Sequence, residues 1–249
     1  MKEHLHTIPV NEAFLSEDEC PFCYLQRESE QRVIRYVAGP GASYMEPEVR
    51  EVTDKSGFCP AHLKKLYDYG NTLGNALMLQ TYYARVLTQL RSEIEAFEPP
   101  APKKLFAKPQ QSQDGLWKRL QEDVDNCYIC TQLEGSMDRY YRTFFALVKE
   151  AEFRSRVENS KGFCLHHFSQ LLHEAETHLP NSQRQWFYDT VFKVMEENLV
   201  RVKQDLDWLI AKYDYRNASA PWGNSRDALQ RTMQKMGGGH VADKPFKNE

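Results

Sequence analysis

Three cysteines and one histidine occur in the same order twice along this chain. The first set is Cys20-Pro21-Phe22-Cys23 followed by Gly57-Phe58-Cys59-Pro60-Ala61-His62. The second is Cys127-Tyr128-Ile129-Cys130 followed by Gly162-Phe163-Cys164-Leu165-His166-His167. The stretches between the pairs, residues 24–58 and 131–163, are 35 and 33 residues long. Both Cys-x-x-His pairs are introduced by Gly-Phe and followed by a long apolar-periodic segment. Repetition of order, spacing and flanks reads as an internal duplication. No cysteine is left over.

Three thiols and an imidazole are a zinc-ligand set. Zinc takes four such ligands in a tetrahedron, at about 2.3 Å to sulfur and 2.0–2.1 Å to nitrogen. A Cys-x-x-Cys turn aims two sulfurs at one centre. A Cys-x-x-His does the same from the first turn of a helix, because positions i and i+3 share a face. The spacing predicts one zinc on Cys20, Cys23, Cys59 and His62. It predicts a second on Cys127, Cys130, Cys164 and His167, giving two ions per chain. The order is treble-clef-like, a knuckle pair plus a helix-start pair, with a helical insert in place of a hairpin. Gly57 and Gly162 suit the tight entry into the helix turn, and the helix N-terminus favours thiolate.

Iron–sulfur clusters, another metal or haem, and disulfides or free thiols compete with zinc. Clusters usually take four cysteines, whereas each set here offers three, and no Cys-x-x-Cys-His haem signature occurs. His166 competes with His167 for the fourth position. His173 and His178 read as surface residues, and His4 and His6 as opportunistic ligands. A complete Cys₃His set leaves no open coordination position, so the sites read as structural.

The 249 residues carry a formal net charge of −3 and a pI near 6.3. That balance offers no excess cation to neutralise a phosphate backbone and argues against nucleic acid. The longest apolar runs, such as Ala76-Leu77-Met78-Leu79, are far too short to span a bilayer. The start, Met1-Lys2-Glu3-His4-Leu5-His6-Thr7, lacks the apolar core of a secretory signal. A cytoplasmic location is expected, where cysteines serve as metal ligands more often than as disulfides.

Period-two alternation is scarce, so the fold is expected to be all-α, with two duplicated helical lobes. From Pro60 to Phe97 there is no internal proline. Leu66, Gly70, Leu73, Leu77, Ala84, Leu87 and Ile94 follow a 4-3 spacing, which predicts one long helix. Gly70 and Gly74 within it predict a close helix crossing, or a ligand approaching the backbone. A second stripe runs through Met195, Leu199, Val202, Leu206 and Leu209. Pro180 ends the helix before it, and Asn181 or Ser182 is the expected cap. Glu98-Pro99-Pro100-Ala101-Pro102 has linker composition. The expected segments are a first zinc lobe at 10–97, a linker at 98–113, a second zinc lobe at 114–213, and a tail at 214–249 with a short helix. The last ten residues read as frayed.

Further motifs resemble a bacterial family of uncharacterised proteins, domain of unknown function 6062. They are Ile8-Pro9-Val10-Asn11-Glu12-Ala13-Phe14, Glu19-Cys20-Pro21-Phe22-Cys23, Tyr44-Met45-Glu46, Gly57-Phe58-Cys59 with His62, Gly70-Asn71-Thr72-Leu73-Gly74, Tyr213-Asp214-Tyr215-Arg216 and Pro221-Trp222-Gly223. The resemblance implies a bacterial origin and a match over nearly the whole chain. It implies no activity.

No Gly-x-Ser-x-Gly, His-Glu-x-x-His, phosphate loop or dinucleotide fingerprint occurs. Acidic runs such as Glu17-Asp18-Glu19 and Glu196-Glu197 read as solvated faces. The leading expectation is a zinc-stabilised adaptor or binding module, its partner a protein or a small molecule. The alternatives are a thiol-based redox or metal-responsive protein, and an enzyme or ligand binder with a pocket between the lobes. Tyr44, Glu46, Asn71 and Arg216 are the candidate lining of such a pocket.

Overall fold

The structure, a computed structural model, describes residues 7–41, 43–99, 115–239 and 241. Among these there are eleven α-helices and no strand, as the scarcity of alternation predicts. They are α1 (Thr7–Leu15), α2 (Pro21–Ala38), α3 (Pro47–Ser56), α4 (Pro60–Tyr69), α5 (Thr72–Glu95), α6 (Leu116–Asp125), α7 (Tyr128–Leu147), α8 (Ala151–Glu158), α9 (Leu165–His178), α10 (Arg184–Ala211) and α11 (Ala228–Gly237). Of the expected linker only Glu98 and Pro99 are described. His4 and His6 lie outside the described residues, as do the last ten apart from Val241.

The chain divides into two compact units, one from Met1–Ser29 and Glu134–Lys244, the other built on Glu30–Leu133. Both boundaries fall inside helices, α2 and α7. The sequence segments 10–97 and 114–213 therefore each contribute to both units.

The first unit is organised by aromatic rings. Phe22, Phe144, Phe145, Phe153, Phe163 and Phe187 are fully buried and meet Phe14 in one cluster. Phe22, the residue between Cys20 and Cys23, stacks on Tyr141 with ring centroids 4.5 Å apart. Such pairs contribute about 0.5–1.5 kcal/mol beyond their buried area. The second unit has a smaller core of Ile34, Val37, Ala38, Phe58, Leu66, Met78, Ile129 and Leu133, to which Cys127 belongs.

The single helix expected from Pro60 to Phe97 is two helices. Gly70 ends α4 with φ +89°, its N–H donating to the Tyr67 carbonyl. Asn71 then caps α5: its Oδ1 accepts from Gly74 N–H at 2.9 Å, and its Nδ2 donates to the Ala38 carbonyl at 2.7 Å. A glycine helix stop followed at once by an asparagine cap overrides an apolar spacing that runs on through it. Gly74 does not mark a helix crossing either. A Cβ there would meet Asn71 Nδ2 at 2.7 Å and Tyr44 Cε1 at 2.9 Å. The cap and one tyrosine ring are what require glycine. Past Pro180, a 3₁₀ turn at Asn181–Gln183 leads into α10, whose N-cap is Gln183 with no side-chain cap bond. Neither Asn181 nor Ser182 takes the expected role.

Candidate metal centres

Each ligand pair sits at a helix start. Cys20 and Cys127 immediately precede α2 and α7, and Cys23 and Cys130 lie in the first turns. Cys59 and Cys164 are the N-caps of α4 and α9, which brings His62 and His167 onto the same face one turn later. The entry into each Cys-x-x-His uses a left-handed glycine, Gly57 at φ +62° and Gly162 at φ +76°. At Gly57 a side chain is doubly barred, since a Cβ would fall 2.5 Å from the Tyr82 ring. Four helix N-termini thus present partial positive charge to the sulfurs.

The eight expected ligands converge in two sets of four, but crosswise. Cys20 and Cys23 meet Cys164 and His167, while Cys59 and His62 meet Cys127 and Cys130. This corrects the pairing of each Cys-x-x-Cys with the Cys-x-x-His that follows it. The reason is the insert. The 18 residues of α2 rise about 27 Å, and the 20 of α7 about 30 Å. Each long helix carries the chain away from its own Cys-x-x-Cys before the next pair arrives.

Both sets have the dimensions of a tetrahedral site. Bond lengths of about 2.3 Å to sulfur and 2.05 Å to nitrogen require edges of about 3.8 Å between sulfurs and 3.6 Å from sulfur to nitrogen. In the first centre Cys23 Sγ and Cys164 Sγ are 3.6 Å apart. His167 Nδ1 lies 3.5, 3.4 and 3.2 Å from the sulfurs of Cys20, Cys23 and Cys164. In the second, Cys59 Sγ and Cys130 Sγ are 3.9 Å apart. His62 Nδ1 lies 3.3, 3.2 and 3.4 Å from the sulfurs of Cys59, Cys127 and Cys130. All six cysteines are free, and these separations are far above the roughly 2.05 Å of a disulfide. Either set could hold a metal ion. His166 is exposed and outside the set, so His167 is the fourth residue.

The surroundings differ. All four residues of the first centre are buried, whereas Cys59 and Cys130 in the second are only half-buried. In the second centre His62 Nε2 is 3.0 Å from Glu30 Oε1, and Lys65 holds both Glu30 oxygens at 2.5 Å. A carboxylate on the far ring nitrogen fixes the tautomer and raises the basicity of a metal-binding histidine. Gly57 O accepts from Tyr128 N–H at 3.0 Å, which ties the two ligand segments together.

Thiolate formation is distributed unevenly. Burial pushes Cys127 up, but His62 and the backbone N–H groups of Cys59 and Cys130 outweigh it and bring Cys127 down to about 6. In the first centre hydrogen bonds from Cys20 and Cys23, with His167 beside them, hold Cys164 far below the ordinary thiol range. Burial raises Cys20, and a hydrogen bond to Cys164 raises Cys23 to about 12. A divalent ion would favour full deprotonation.

Other sequence expectations resolve locally. Asp214 caps Arg216 N–H at 2.9 Å and takes its guanidinium in an ion pair at 2.5 Å. Tyr213 and Tyr215 are both 85% exposed. Tyr44 packs on Gly74 beside Asn71. Of the run Glu17-Asp18-Glu19, Glu17 is exposed as expected, but Asp18 and Glu19 are not a solvated face. Asp18 engages Arg27 at 3.2 Å, and Glu19 is buried against Arg201 at 2.6 Å. Glu196 and Glu197 are exposed, as expected. His178 is not a bare surface residue: it pairs with Glu174 at 3.4 Å and lies near Asp138, which Arg142 neutralises at 3.0 Å. Sequence reasoning missed Glu30, Lys65, Asp18, Glu19 and Lys235. Only position next to a ligand, as at Glu19, could have pointed to any of them.

A family model described as Family of unknown function (DUF6062) matches residues 1–243. The chain is also similar to an uncharacterised 23.9 kDa protein in the xynA 3' region of Caldicellulosiruptor sp. (strain Rt8B.4). The two are 23% identical over 202 residues, 81% of this chain and 85% of the relative. No solved structure matches the chain.

Proposed function

The chain belongs to the family of unknown function DUF6062, and we propose that it is a two-zinc helical protein, each centre holding one unit together, that acts as an adaptor or binding module. What carries the reading is the convergence of eight ligand atoms into two sets with the edges of a zinc tetrahedron. Three sulfurs and one nitrogen fill the coordination of each ion, which leaves no position for a substrate or an activated water. Zinc in such a site supplies cross-links. Each ion would join helix starts that lie far apart in the sequence. Structural zinc in finger peptides contributes about 10–16 kcal/mol of apparent binding energy at pH 7. Whole domains are stable by only about 5–15 kcal/mol, so the metal would decide whether each unit folds. Six unpaired cysteines support a reducing compartment, such as the cytoplasm.

Elemental analysis with native mass spectrometry on freshly purified protein tests this. The expected result is two zinc ions per chain and no visible chromophore. Stoichiometric iron with visible absorbance, or a metal-free folded protein, would refute it.

A further inference from the structure

The two centres differ in what covers them. We propose that α11 and the Gly238-Gly239 turn after it form a latch over the first centre, leaving the second as the one that exchanges its ion. This rests on the reading that both sets hold zinc.

Lys235, 1% exposed, makes the central tie. Its ammonium donates to the Glu19 carbonyl at 2.6 Å and to the Lys161 carbonyl, and pairs with the Glu19 carboxylate at 3.2 Å. Glu19 immediately precedes Cys20, and Lys161 opens the Lys161-Gly162-Phe163-Cys164 turn. One buried cation therefore fastens together the two segments that deliver the two ligand pairs. Its neighbour Gln234 donates to Asp18 Oδ1 at 2.6 Å, the same oxygen that accepts Cys20 N–H at 3.1 Å. Arg231 anchors α11 to α10 through Asp205 at 2.9 Å.

Beyond α11 the backbone closes on the sulfurs. Gly239 N–H donates to Cys23 Sγ at 3.2 Å. Gly238 runs close enough that a Cβ there would touch Cys164 Sγ at 3.5 Å and Cys23 Sγ at 3.9 Å. Both glycines have positive φ, +74° and +63°, so the turn that covers the sulfurs needs residues without side chains. A competing ligand takes an ion by displacing one protein ligand at a time. In the first centre each such step meets buried sulfurs beneath a fastened turn. In the second, Cys59 and Cys130 are half-buried.

The test uses zinc-loaded full-length protein and excess 4-(2-pyridylazo)resorcinol, followed by the absorbance of its zinc complex. Two phases of equal amplitude are expected. Cys130→Ser should remove the fast phase and Cys23→Ser the slow one. Lys235→Met should speed the slow phase by about tenfold or more and leave the fast phase unchanged, because it weakens only the local closure. Gln234→Ala, a milder change, should act in the same direction and serves if Lys235→Met fails to fold by circular dichroism. Both ions leaving at one rate, the slow phase belonging to the second centre, or no acceleration in either folded variant would overturn the latch. A chain that takes up no zinc would end the two-zinc reading, and the latch with it.

Discussion

The sulfurs of Cys23 and Cys164 lie 3.6 Å apart although 141 positions separate them in the chain. Cys59 and Cys130 repeat the relationship across 71 positions, at 3.9 Å. Each centre is closed by a ligand pair from the first half of the sequence and one from the second. If each centre holds an ion, as proposed, losing it should loosen segments from both halves at once. Hydrogen exchange on His167→Ala should show lost protection around both Cys20 and Cys164. His166→Ala should leave metal content and melting temperature near the parent values, because His166 is exposed and outside the ligand set.

Glu30 is placed to tune metal binding at the second centre, since it holds the far ring nitrogen of His62. Its carboxylate is held in the charged form: burial opposes this, but the hydrogen bonds from His62 and Lys65 outweigh burial and lower its pKa. Glu30→Gln should weaken zinc binding at the second centre by about 10–100-fold, the usual effect of losing such a partner. The first centre should be unaffected. Competition titration with a chelator of known affinity would resolve the two. Equal weakening of both, or of neither, would contradict the assignment.

Gly57 and Gly135 should respond oppositely to alanine. Gly57 combines φ +62° with the Tyr82 ring against its missing side chain, so Gly57→Ala should cost about 1–3 kcal/mol. Gly135 lies inside α7, where, among the described residues and apart from the helix's own backbone, an added Cβ meets just the movable end of Arg139 at 3.6 Å. Gly135→Ala should stabilise by about 0.5–1 kcal/mol. Thermal melting of the two variants checks both signs.

Gly74→Leu should be destabilising for a local reason. The new side chain would displace Tyr44 and break the Asn71 cap. Overpacking costs about 1–3 kcal/mol and a lost cap about 1 kcal/mol. An unchanged melting temperature would show that neither contact matters.

The helical class and the eight cysteine and histidine residues that converge were legible in the sequence because both depend on local spacing. Which pairs converge was not legible. Adjacent repeats suggest that each Cys-x-x-Cys meets the next Cys-x-x-His, and only the folded positions of the side chains show otherwise. The break between α4 and α5 was masked because apolar positions keep their spacing across Gly70. The same holds for Glu19 and Lys235. Each looks like an ordinary surface charge until the fold brings together residues 216 positions apart. No local pattern encodes such a pair.

Metal counting on double variants tests the crossed pairing most directly. Cys23→Ser with Cys164→Ser removes two ligands from one centre, and native mass spectrometry should find one zinc ion remaining. Cys23→Ser with Cys59→Ser removes one ligand from each centre and should leave none firmly bound. Should the first variant lose both ions while the second keeps one, each centre would be built within its own repeat, and the crossed pairing would be wrong.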